Sequence, residues 1–147
     1  MQLTKPVTPW WFWLASVLFV IWNAGGAYDY LMIHTDNPAY LAKAAEAAPE
    51  AVAYLDEMPA WRVVLWALAV WGGFAGSVLL LLRRDLAVGA YLVSLAGLGG
   101  GLLADMTVLG IADMYGGAQL VMTGAILVGA VVQLWFARFA RRAGFLL

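Results

Sequence analysis

The chain contains no cysteine, which excludes disulfides, thiolate metal sites and cysteine nucleophiles. Its single histidine, His34, excludes a haem held by two histidines of one chain and a histidine-rich metal site. Charge is also scarce. Only 12% of residues are charged, against about 25% in a typical soluble domain. The net charge of -1 gives no reason to expect a nucleic-acid partner. No phosphate-binding glycine loop, zinc-protease helix or serine-hydrolase elbow occurs in the sequence. An enzymatic reading would rest on Asp29 and Asp105 alone, so the expectation is a non-enzyme without metal or cofactor.

What the chain has in abundance is apolar sequence. Of its 147 residues, 65% are hydrophobic, and the mean hydropathy is +0.85. Soluble domains are about half apolar, so the solvent expected for most of this chain is lipid. The expected fold class is an all-α integral membrane protein forming one domain. Its four spans are placed at about 9–33, 59–82, 86–109 and 118–139. The first is roughly 36 Å long at 1.5 Å per residue, enough to cross a bilayer with some tilt. It is longer and more aromatic than a signal-peptide core and reads as a retained span. Trp10, Trp11, Phe12 and Trp13 open it, as expected at a headgroup boundary.

Residues 34–58 form the sizeable polar segment. Asn37 before Pro38 reads as a helix start, and Pro49 can open a second short helix with Val52 and Leu55 on one face. Two short amphipathic helices on the membrane surface are expected, with a plain linker as the alternative. Lys5, Arg83, Arg84, Arg138, Arg141 and Arg142 fall on one side of the four spans. The other side carries Lys43 and Arg62 against Asp36, Glu46, Glu50, Asp56 and Glu57 in the first loop. The positive-inside rule places both termini in the cytoplasm, with the first loop and the Asp113 turn outside. Short connections favour an up-down four-helix bundle.

Each span carries a stripe of small or polar residues at helical spacing. These are Trp22, Gly25, Gly26 and Asp29, with Asn23 and Tyr30 beside them; Arg62, Trp66, Ala69, Gly73 and Ser77; Ser94, Gly97, Gly101 and Asp105; and Gln119, Thr123, Ile126, Ala130 and Gln133. Leu79 to Leu82 and Val131 to Val132 are expected to face lipid. Small residues let membrane helices approach closely. Gly72 with Gly76 and Gly97 with Gly101 are therefore candidate packing seams, within the chain or between copies of it.

The carboxylates are more informative. Asp29 and Asp105 each lie 19 residues from the start of their span, counted from Trp10 and Leu86. That is roughly 28 Å along parallel helices, hence a similar depth. Arg62 enters from the same side. An Asp29–Arg62–Asp105 cluster joined by Tyr28 or Tyr30 is expected, either as an ion pair fastening the helices or as a vestibule. In the second case Asn23, Asp29, Tyr30, Arg62, Asp105 and Gln119 would bind a small polar solute or cation, with Trp22 or Trp66 as a stacking surface. The other deep indole, Trp71, and His34 read as packing and surface residues.

The pattern Trp22-Asn23-x-x-Gly26-x-x-Asp29-Tyr30 resembles one in a family of small bacterial four-span membrane proteins commonly labelled "sugar transporter". So do Met58-Pro59-x-Trp61 and Trp71-Gly72-Gly73-x-x-Gly76-Ser77, followed by Leu79 to Leu82 and Arg83. The similarity covers roughly residues 22–84. It implies a multi-pass protein of the bacterial inner membrane and carries no residue roles. Two functional expectations follow. One is a permease for a small polar solute such as a sugar, working as a homo-oligomer because one four-helix unit offers little room. The other is a non-catalytic accessory or assembly subunit of a larger membrane complex.

Overall fold

A computed structural model describes residues 7–110 and 117–147. Its described residues form six helices and no strand: α1 (Trp10–His34), α2 (Pro38–Ala47), α3 (Pro49–Glu57), α4 (Ala60–Leu81), α5 (Ala87–Thr107) and α6 (Gly117–Arg142). Four of them, α1, α4, α5 and α6, are long and apolar enough to cross a membrane, as a multi-pass membrane protein requires. The Asp113 turn lies outside the described residues.

The helix boundaries follow from local chemistry. Proline stands at the first position of α2 and of α3, where its missing N–H costs nothing. The Asn37 side chain caps α2 by accepting from the Tyr40 N–H at 3.0 Å. The turn between α4 and α5 holds Arg83 at φ 58°, a left-handed conformation that costs a non-glycine residue energy. Tertiary contacts hold it there. The Arg83 Nε donates to the Phe145 carbonyl at 2.7 Å, and the Leu147 N–H donates to the Arg83 carbonyl at 2.6 Å.

Neighbouring long helices run antiparallel, as cross-helix contacts show. Arg62 at the start of α4 meets Asp105 near the end of α5. Phe12 at the start of α1 meets Phe136 near the end of α6. Tyr30 near the end of α1 meets Trp66 near the start of α4. The bundle thus has a basic end, carrying Arg83, Arg84, Arg138, Arg141 and Arg142, and a loop end, carrying α2 and α3.

The two ends are packed differently. At the basic end Phe12, Leu80, Tyr91, Leu134 and Phe145 form a buried core with Ala87, Val88, Ala137 and Ala140. Rings of Trp11, Phe12, Phe19, Phe136, Phe139 and Phe145 contact one another across α1, α6 and the tail that follows. This corrects two expectations. Phe12 is a core residue, where a headgroup-boundary ring was expected, and Leu80 is fully buried, where a lipid contact was expected. The chain folding back after α6 sets the Phe145 ring against Phe12, and Leu80 belongs to the same buried cluster; hydropathy cannot signal either. Toward the loop end α6 separates from its neighbours, leaving Leu120, Val121, Met122 and Val128 exposed.

The glycine seams all lie between α4 and α5 of the same chain. A Cβ on Gly72 would sit 2.8 Å from the Ser94 backbone nitrogen, and one on Gly97 would sit 2.7 Å from the Ala69 nitrogen and the Leu65 carbonyl oxygen. Gly76 lies under the Tyr91 ring and Gly101 under the Arg62 guanidinium. These faces are used within one chain, so they cannot also serve as the contact between copies.

Candidate functional site

The separation of α6 opens a hollow inside the bundle. Its deeper part, about 700 Å³, is lined by Trp22, Asn23, Gly25, Gly26 and Asp29 of α1, Trp66, Ala69 and Val70 of α4, Ser94 and Leu98 of α5, and Met122, Ile126, Ala130 and Gln133 of α6. A second part, about 430 Å³, shares Asp29, Trp66, Ala69, Leu98, Met122 and Ile126, and extends to Arg62, Asp105, Gln119 and Thr123. The α6 stripe read from the sequence, from Gln119 to Gln133, lies wholly along this hollow. So does the α1 stripe from Trp22 to Asp29. Residues of all four long helices of one chain line this space.

The loop supplies the roof. Ala44 and Ala48, at the end of α2, line the second part together with Ala51, Val52, Tyr54 and Leu55 of α3. Val52 and Leu55, the apolar face expected on the second short helix, point into the hollow. The alanine-rich composition suits this position, because small side chains let two short helices lie close over the bundle.

The expected three-residue charge cluster divides into two units. Arg62 binds Asp105 through two parallel hydrogen bonds, Nε to Oδ1 at 2.6 Å and Nη2 to Oδ2 at 2.7 Å. Asp105 has 1% of its side chain exposed and Arg62 14%. Two-point geometry of this kind is what lets a carboxylate and a guanidinium stay charged away from water. Asp29 does not join them. Its carboxylate accepts a hydrogen bond from the Tyr40 hydroxyl of α2. Depth counting placed the two acids level, and both line the second part of the hollow, but it could not assign their partners.

Tyr40 thus fastens the roof to α1, and the Tyr28 ring packs edge-on against it at 5.9 Å. The hydrogen bond to Asp29 pushes the Tyr40 phenol up to about 12, with burial and the carboxylate charge adding in the same direction. Tyr54 projects from α3 toward the Arg62–Asp105 pair. Burial and then the Asp105 carboxylate push its phenol up, while Arg62 opposes. Among the described residues its buried hydroxyl has no hydrogen-bond partner. It is an available donor at the wall of the hollow.

Asn23, the deep amide, donates through Nδ2 to the Phe19 carbonyl and to the Gln133 Oε1, each at 2.8 Å. This links α1 to α6 at the floor, just above the aromatic core. Its Oδ1 faces Gly73, where a Cβ would come within 2.5 Å. Gly73 is what lets the amide sit between α1 and α4.

Tyr30 stands elsewhere than expected, while His34 is exposed, as expected of a surface residue. Tyr30 does not line the hollow. It stacks on His34 at 3.9 Å and meets Trp66 and Trp71 edge-on. His34 shares a 2.9 Å hydrogen bond with the Tyr30 carbonyl and lies 5.2 Å from the Trp66 ring. Both belong to the aromatic joint between α1 and α4. The sequence reading missed Tyr40 and Tyr54. The only available signal was that two tyrosines interrupt an alanine-rich segment, each on a helix opened by proline. Among the described residues no group of three or more acidic or histidine side chains could hold a metal ion.

Compared with known proteins, the chain matches no family model, no curated protein and no solved structure.

Proposed function

We propose that this chain is a small permease of the bacterial inner membrane and that the hollow is its solute site. The observation that carries this reading is that all four long helices contribute residues of their polar stripes to the lining of one space. That space is roofed by α2 and α3 at one end and closed by packed aromatic rings at the other. Small-molecule sites are mostly apolar concavities of about 300–1,000 Å³ with a few placed polar groups, and this hollow has both properties. The excess of arginine at the basic end orients that end toward the cytoplasm, so the roof faces outward. The resemblance to proteins labelled sugar transporters points the same way.

The test is uptake into proteoliposomes. Vesicles containing the protein are expected to accumulate at least one of glucose, sucrose, glycerol or tetraphenylphosphonium faster than protein-free vesicles. Asn23→Ala, at the floor of the hollow, should reduce that rate. If none of the four moves faster with the protein present, the permease reading is wrong.

A further inference from the structure

We propose that the hollow takes a lipophilic organic cation, a positive centre carried on apolar or aromatic groups, with Asp29 as its counter-ion and Trp22 and Trp66 as its aromatic walls. The proposal rests on the hollow being a solute site, as above, but not on translocation.

Four observations lead to this class. First, the charges on the wall are unequal. Arg62 is held by the Asp105 carboxylate. Asp29 has a neutral phenol as its partner and no basic partner among the described residues. The lining therefore carries one carboxylate not matched by a cation, and a positively charged ligand supplies the match. Second, aromatic surface lines the same hollow as that carboxylate. Trp22 is seven residues before Asp29 on the same face of α1, and both line the hollow with Trp66. The faces of indole rings attract cations, more strongly where water is excluded.

Third, the hollow is open sideways between α1 and α6. Ile21 is 63% exposed, Met122 55% and Ile126 40%, although all three line the deeper part. Gly25, Gly26 and Gly124 have open space where a side chain would be. In a bilayer that opening faces acyl chains, so a ligand using it must be soluble in lipid. Fourth, the polar groups are not distributed as a sugar would need. A sugar presents hydroxyls on every side. Here all four long helices contribute apolar side chains to the lining, Ile21, Val70, Leu98, Met122, Ile126 and Ala130, and the amides of Asn23 and Gln133 are already bonded to each other at the floor. One charged centre with an apolar body fits these walls better.

Equilibrium dialysis of radiolabelled tetraphenylphosphonium against the purified full chain in detergent tests the proposal. Saturable binding is expected. Triphenylphosphine oxide, which is similar in shape but neutral, should compete at least about tenfold less well, as should be the case when a charged contact worth about 1.4 kcal/mol or more is absent. Asp29→Asn keeps the size and can keep the contact with Tyr40, and it should weaken binding by about tenfold or more. Trp22→Leu should weaken it about threefold or more through the lost ring face. If Asp29→Asn does not fold, Trp22→Leu and the neutral competitor decide. Absence of saturable binding overturns the proposal, and so does equal binding of the neutral analogue. Uptake of glucose without tetraphenylphosphonium binding would overturn this inference and leave the permease reading standing. Binding without uptake of any solute would do the reverse.

Discussion

The two ends of the bundle are built from similar helices but hold together differently. At the basic end, α1, α4, α5 and α6 meet through Phe12, Leu80, Tyr91, Leu134 and Phe145, and the chain after α6 folds back to close the gap. At the loop end, α6 stands off from its neighbours and the structure is tied by polar contacts: Arg62 to Asp105, Tyr40 to Asp29, and Asn23 to Gln133 at the boundary. Lipid is as apolar as leucine, so packing in a membrane gains from close contact and not from escape from water. A solid end is therefore made by shape. A hollow end must be made by directional bonds, because shape alone would let it collapse.

The largest expected effect comes from breaking a tie at the hollow end. Asp105→Ala removes the carboxylate from a buried guanidinium and should cost about 3–5 kcal/mol, measured by thermal unfolding in detergent. The double variant Arg62→Met with Asp105→Leu should regain most of that loss. If the double variant is as unstable as the single, the pair is not the tie described here. Next comes the solid end. Phe12→Ala should destabilise toward the low end of about 3–5 kcal/mol, since its transfer contribution is small when lipid is the alternative solvent. No change there would mean that the aromatic core is not what closes that end.

Gly97→Ala probes the α4–α5 seam that runs through both ends. Its new methyl would meet backbone at 2.7 Å, and overpacking of this kind costs about 1–3 kcal/mol. Gly124→Ala lies on the detached part of α6 with nothing within 4 Å. It should be neutral or stabilising by no more than about 1 kcal/mol. Equal costs for the two glycines would erase the contrast between seam and free face.

The smallest effect concerns Tyr40. Its phenol is pushed up from 10.0 to about 12, so deprotonation is disfavoured in the folded chain. Stability from this contact is fully present below about pH 10 and is lost as pH rises through about 12. Spectrophotometric titration should show one fewer late-ionising tyrosine in Tyr40→Phe than in the parent, in which Tyr54 also ionises late, with no difference between the proteins near neutral pH.

Much of this was legible in the residues. Apolar run lengths located the four long helices to within a few residues, because a bilayer-length helix needs about 20 apolar positions. Pro38 and Pro49 marked the starts of α2 and α3. Helical spacing collected Trp22, Gly25, Gly26 and Asp29 on one face, with Asn23 beside it, and Gln119, Thr123 and Gln133 on another, and these faces line the same hollow. The partners were not legible. Asp29 and Asp105 look alike in sequence, at equal depth on parallel helices. Asp105 acquires Arg62 because α4 packs along α5, and Asp29 acquires Tyr40 because α2 folds back onto α1. Leu80 and Phe12 read as lipid-facing and interfacial residues, since hydropathy does not distinguish an apolar residue against lipid from one against protein.

The sequence by itself determined that this chain is helical, that four of its helices can cross a membrane, and which face of each is polar or small. Those properties follow from local composition and the period of the helix. Only the tertiary structure decided that α4 and α5 use the glycine seams within one chain, that α6 stands away to leave a hollow, and that one carboxylate in that hollow has no basic partner among the described residues. Those outcomes depend on how far apart rigid helices settle once their largest side chains have packed at one end, which no single stretch of the chain contains.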